Sequence, residues 1–246
     1  MMRASSSTWG LWHPFDPAGE AERVELKVMV PDRASRFLRA GSGDVRVRQV
    51  YFLETADLAL SRHGLVVRIR STASRSDDAV VKLRPMGERS VPGWLRRADL
   101  DVEIDALPGH RVCSAALKVS LGRRAVSRAI GSGHRLTGLL SARQRRMIEV
   151  YGPDGLDLDD LLAFGPVEVR RHRVRPRGLG RPMTAERWTY PDGSTLVELS
   201  TRCAADRAPE VAARMSAVLH AHGVVPSRRQ RTKTEMTLRY FSAPAA

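Results

Sequence analysis

The sequence predicts an α+β fold: a closed or nearly closed antiparallel β-barrel of about eight strands, with a charged interior tunnel and helices packed outside. Three observations predict it. Short segments alternate apolar and polar residues, the period of a half-buried strand. The polar positions of several segments hold cations or acids spaced two apart, and a sheet closed on itself would collect them in one cavity. Helical segments with cap signals lie among the strands, ready to cover the outer face.

The elements follow in order. Residues 1–21 mix Ser, Pro, Gly and Trp without periodicity and read as a mobile tail, with Trp9 and Trp12 docking locally. The folded domain is expected over 22–241, with 242–246 a second tail. "RVELKVMV" (23–30) is a strand with Val24, Leu26, Val28 and Val30 on one face and Arg23, Glu25, Lys27 and Met29 on the other. "DRASRFLRA" (32–40) reads as a short helix capped by Asp32, "VRVRQVYFLE" as a strand, and "TADLALSRHG" as a helix closing at Gly64. Two strands within "GLVVRIRSTASRSDDAVVKLRP" (64–85) send Arg68, Arg70, Lys82 and Arg84 to one face, and Val67, Ile69, Val81 and Leu83 to the other. "DLDVEIDAL" (99–107) has an acidic face of Asp101, Glu103 and Asp105.

Between 112 and 164 the pattern reads as a helical insert, including "LTGLLSARQRRMIEVYG" and "DGLDLDDLLAFG". Strands resume at 165–176, 185–191 and 194–201, the last two joined by the turn "PDG". A helix over 208–223 and a final strand, "RTKTEMTLRYF" (231–241), complete the domain.

The net charge of +14 predicts an anionic partner. Arg supplies 37 of the 41 cations, so the four lysines, Lys27, Lys82, Lys118 and Lys233, stand out against the arginine bias. Two cysteines, Cys113 and Cys203, without a CxxC pair fit a reducing compartment and unbridged thiols. The N-terminus has no apolar signal region, and no segment approaches the ~18 apolar residues of a membrane span. A cytoplasmic location is expected, without membrane association.

Arginine forks approaching from several strands match phosphate oxygens, and a tube of them suits a short linear polyphosphate. Interspersed carboxylates would repel that ligand unless metal ions intervened; hard oxygen donors beside phosphate point to Mg²⁺ or Mn²⁺. The pattern resembles the CYTH family, the triphosphate tunnel metalloenzymes, and most closely the bacterial CYTH-domain proteins labelled adenylate cyclase. The resemblance spans about 22–241. It rests on "VELKV" as the ExExK strand, "YFLETADLALSRHGLVVRIR" as the block ending in Arg-x-Arg, and "VVKLRP" as the Lys-x-Arg strand. "VEIDALPGHRVCSAALK", "WTYPDGSTLVELSTRC" and "RTKTEMTL" match further elements.

The resemblance implies phosphate binding by Lys27, Arg68, Arg70, Lys82, Arg84, Arg171, Arg173 and Lys233, and metal binding by Glu25, Glu103 and Glu198. It implies that Lys27 or Lys233 orients or deprotonates a water. The expected activity is divalent-metal-dependent hydrolysis of inorganic triphosphate or a nucleoside triphosphate such as ATP. An adenylate cyclase, forming cyclic AMP and pyrophosphate, needs the same cage, and a non-catalytic polyphosphate or nucleotide binder is the third reading. Two departures bear on catalysis. Arg23 stands where the signature has its first Glu, with Glu22 on the opposite face, and Ser200 stands where many relatives carry an acid.

Other chemistries fit less well. His220 and His222 lie two apart on a helix and do not share a face. "GSGHRLTG" lacks phosphate-loop spacing, "DGLDLDD" lacks EF-hand spacing, and Cys113 has no His placed by sequence to activate it. Aromatics are 5% of the chain and avoid the basic strands, which disfavours a nucleic-acid partner.

Overall fold

The computed structural model describes residues 10–12, 21–35, 45–73, 75–86, 93–96 and 100–243. Nine strands close into a barrel: β1 (Arg23–Val30), β2 (Arg46–Glu54), β3 (Leu65–Thr72), β4 (Ser76–Leu83), β5 (Leu100–Leu107), β6 (His110–Arg123), β7 (Leu162–Val174), β8 (Met183–Thr189) and β9 (Thr195–Ala204). Around the barrel they run β1-β5-β6-β4-β3-β2-β7-β8-β9, and β9 returns to β1. The expectation of about eight antiparallel strands is corrected twice, because there are nine, and β1 pairs β5 in parallel.

The outer face is apolar and covered. Val24, Leu26, Val28 and Val30 of β1 pack with Val211, Met215, Val218 and Leu219 of a helix over Ala208–Ala221. Each such buried side chain contributes about 1.5–3 kcal/mol. Val67, Ile69, Val81 and Leu83 pack outward against Leu136, Met147 and Ile148, as their alternation predicts. The helices, in chain order, are α1 (Ala59–Arg62), α2 (Gly93–Arg96), α3 (Ala125–Gly131), α4 (Ala142–Tyr151), α5 (Ala208–Ala221) and α6 (Lys233–Ser242).

Buried polar groups tie these helices to the barrel. Ser141 and Gln144 form a capping box on α4, and the Gln144 amide donates to Ala79 O at 3.0 Å and Leu117 O at 3.1 Å. Asp77 accepts from Thr72 N and Val126 N, both at 2.9 Å, joining β4 to α3. Glu54 accepts from Leu60 N and Ser61 N and holds α1.

Three stretches differ from the sequence reading. The helical pattern expected across 112–164 begins only at Ala125, because 110–123 is strand β6. Its Ala115, Leu117 and Val119 face away from Ser114, Ala116 and Lys118, too weak a contrast of size to announce a strand. "DGLDLDDLLAFG" forms a single 3-10 turn, Leu158–Asp160, before β7 begins at Leu162. The final segment, expected as a strand, is α6: Thr232 caps it by accepting from Glu235 N at 3.2 Å, and the closed barrel offers no edge for another strand.

The helix expected over 32–40 begins as a 3-10 turn, Asp32–Ser35, and 36–40 lie outside the described residues. So does most of the expected 1–21 tail, Trp9 included. Trp12 is buried, and its indole donates to Ala106 O at 2.9 Å. No helix among the described residues is long and apolar enough to cross a membrane.

Candidate functional site

Alternation puts one face of every strand inside the barrel, and that interior is divided along its length. At one level it is apolar: Val50 and Phe52 of β2, Val167 and Val169 of β7, and Trp188 of β8 pack with Leu238, Tyr240 and Phe241 of α6. The charged interior residues, with Val50, Val169 and Trp188 at the boundary, line a cavity of about 510 Å³, within the ~300–1,000 Å³ of small-molecule sites. All eleven residues singled out in the sequence line it: Glu25, Lys27, Arg68, Arg70, Lys82, Arg84, Glu103, Arg171, Arg173, Glu198 and Lys233.

Three ionic groups share the cavity. The first forms where β1, β5 and β9 meet. Glu25 stands opposite Asp105 in the parallel pairing and opposite Arg202 in the antiparallel one. Glu25, Glu103 and Asp105 each offer a carboxylate oxygen, all within 4.8 Å of one another. Cations sit on the same carboxylates: Lys27 Nζ is 2.5 Å and Lys82 Nζ 2.6 Å from Asp105, while Arg202 lies 3.2 Å from both Glu25 and Glu103. Burial opposes charge on Glu25, but Lys27 and then Arg202 outweigh it and hold its carboxyl at about 2. Burial likewise works against Lys27, and Asp105 and Glu25 overcome it, raising its ammonium above the usual range.

The second group joins β8, β9 and α6. Glu186 and Glu198 are cross-strand partners, and Lys233 reaches between them from the first turn of α6, 2.6 Å from Glu186 and 2.7 Å from Glu198. Burial disfavours the charged Lys233, while Glu186 and then Glu198 raise it overall. Glu198 therefore lies against Lys233 and is not one of the three clustered carboxylates; Asp105 completes that group with Glu25 and Glu103.

The third group is cationic. Arg70 pairs with Asp78 at 2.7 Å, and Arg171 lies 3.5 Å from Glu186. Arg48 and Arg68 have buried Nε atoms without a hydrogen-bond partner among the described residues. Burial, then the neighbouring Arg70, lowers Arg68 to about 9; burial, Arg70 and Arg171 lower Arg48 to about 10. Arg84 is lowered by burial, against the pull of Asp105. Arg173 is exposed at the cavity margin, as is Lys118, which pairs with Asp78 at 3.7 Å.

Sequence reasoning gave no role to Arg48, Asp105, Glu186 or Arg202, although all line the cavity. Asp105 and Arg202 continue the two-residue period of Glu103 and of Glu198 and Ser200, so extending that period would have found them. Arg23 pairs with Asp101 and is exposed, and Ser200 stands opposite Lys27, leaving that lysine without an acid across the β1/β9 pair.

No protein-family model matches the chain, and no curated protein matches it in sequence. Solved structures do. An adenylyl cyclase candidate from Hippeastrum, HpAC1, described as having a dominant triphosphatase activity, superposes with a TM-score of 0.63 at 15% identity, over 89% of this chain and 96% of that one. A protein from Bacillus halodurans described as an adenylate cyclase candidate superposes with a TM-score of 0.57 at 13% identity, over 88% and 98%. The chain thus shares the closed-barrel fold of these two structures.

Proposed function

We propose that the tunnel binds a triphosphate compound and, with a divalent ion, hydrolyses it. The observation that carries this reading is the pair of buried Arg48 and Arg68 Nε donors without partners among the described residues, in a cavity lined by twelve Lys or Arg side chains and six Asp or Glu. A buried donor left unpaired costs about 1–3 kcal/mol, and polyanion oxygens would recover that cost.

In this reading Arg68, Arg70, Lys82, Arg84, Arg171 and Arg173 neutralise and orient the phosphates, joined by Arg48. Glu25, Glu103 and Asp105 would hold Mg²⁺ or Mn²⁺, which as a Lewis acid would polarise a phosphoryl oxygen and acidify a water. Lys27 and Lys233 are held as ammonium groups. They therefore donate hydrogen bonds and steady the charge rather than take the water's proton.

The test is incubation with Mg²⁺ or Mn²⁺ and either inorganic triphosphate or ATP, followed by separation of products. Phosphate released from triphosphate supports hydrolysis. Cyclic AMP and pyrophosphate from ATP would replace it with cyclisation, the activity in the description of the Bacillus halodurans structure. No product, with triphosphate still bound, would leave a binding protein.

A further inference from the structure

We infer that Arg202 is a resident cation on the acidic group, and that its guanidinium must swing off Glu25 and Glu103 before a divalent ion can enter. The inference rests on the metal-assisted reading above and concerns a residue to which neither the sequence nor the resemblance gave a role.

Charge balance is the first argument. Glu25, Glu103 and Asp105 carry three negative charges; Lys27, Lys82 and Arg202 lie within 3.5 Å of them and carry three positive ones. A divalent ion arriving at this neutral group would find each carboxylate already paired with a cation, so one cation has to leave.

Geometry selects which. The Lys27 and Lys82 side chains are 11% and 17% exposed and hold Asp105 at 2.5 and 2.6 Å, so displacing either would strand an ammonium inside the barrel. The Arg202 side chain is 55% exposed, and its contacts are longer, at 3.2–3.5 Å. Water can take over its hydrogen bonds at little cost. Position sets the rest: Arg202 occupies β9 directly opposite Glu25, so its fork reaches both carboxylates that flank the cavity edge. A ligand bearing phosphate oxygens in the same cavity would offer the freed guanidinium a new partner.

The experiment reads metal binding without turnover. Free Mn²⁺ is followed by electron paramagnetic resonance during titration of wild type, Arg202→Ala, Arg202→Gln and Arg202→Lys, all without triphosphate. Removing the competing charge should tighten Mn²⁺ binding by about tenfold in Arg202→Ala and Arg202→Gln, as expected for the ~1.4 kcal/mol of two ion pairs whose arginine side is exposed. Arg202→Lys should stay near wild type, and adding Glu103→Gln should abolish the gain. Circular dichroism verifies that each barrel is folded, and either neutral variant alone suffices. Equal or weaker Mn²⁺ binding in the folded neutral variants, or no Mn²⁺ binding by any protein, overturns the inference. A separate titration with inorganic triphosphate in metal-free buffer tests the binding reading itself, so the two failures are distinguishable.

Discussion

The ammonium of Lys233, at the start of α6, lies 2.7 Å from the carboxylate of Glu198 on β9. Glu186 faces Glu198 across the β8/β9 pairing and touches the same ammonium. One lysine therefore keeps two largely buried, like-charged neighbours compatible, and it comes from the helix that fills the apolar part of the barrel. Lys233→Met should lower stability by about 3–5 kcal/mol, the cost of breaking a buried ion pair. Urea denaturation measures it, and adding Glu186→Gln should recover part of the loss. A change below about 1 kcal/mol would remove Lys233 from the structural account.

Arg68 predicts the opposite balance. Its Nε is buried beside Arg70 and Arg48 without a partner among the described residues, so the folded protein bears a cost there that a ligand would relieve. Arg68→Ala should weaken triphosphate binding by about tenfold or more, since hydrogen bonds to charged groups contribute roughly 1.5–3 kcal/mol. The variant should melt no lower than wild type without ligand. Calorimetric titration and a thermal melt check the two halves, and a marked fall in melting temperature with binding retained would contradict both.

Acid should loosen the barrel through its carboxylates. Glu25 is held at about 2 against an ordinary 4.5. A carboxyl lowered in the folded state contributes stability that is present above 4.5 and lost as pH falls toward 2. Asp105 is shifted the same way, its burial outweighed by Lys27 and Lys82, and so is Glu186, whose burial is outweighed by Lys233. Urea midpoints should therefore fall steeply between about pH 4.5 and 2, and Glu25→Gln should flatten part of that slope. An unchanged slope in the variant would show that Glu25 does not contribute to it.

The interior faces were legible because a two-residue period sorts them: Arg68 and Arg70, and Lys82 and Arg84, alternate with apolar residues, Arg171 and Arg173 keep the same spacing, and all six line the cavity. The partnerships among them were not legible. That Asp105 lies between Lys27 and Lys82, or that Arg202 sits on Glu25, depends on which strands are neighbours and in what register. Alternation within one strand carries no such information. β6 escaped notice because Ser114, Ala115 and Ala116 give neither face a strong signature. In α6 the alternating polarity of "TKTEMTL" suggested a strand, whereas the Thr232 and Glu235 cap spacing was the signal that mattered.

The parallel junction of β1 with β5 has a consequence for how the site comes into being. β1 is made first among the strands, yet its two edges are satisfied by β5 and by β9, the last strand of the chain. Glu25 and Lys27 therefore gain Asp105 when β5 is made, but Arg202 and Ser200 only with β9. Lys233 arrives later still, with the helix that fills the barrel's apolar level. An N-terminal piece ending before β9 lacks Glu198, Arg202 and Lys233, so the three ionic groups are complete only in a chain long enough to close the ring.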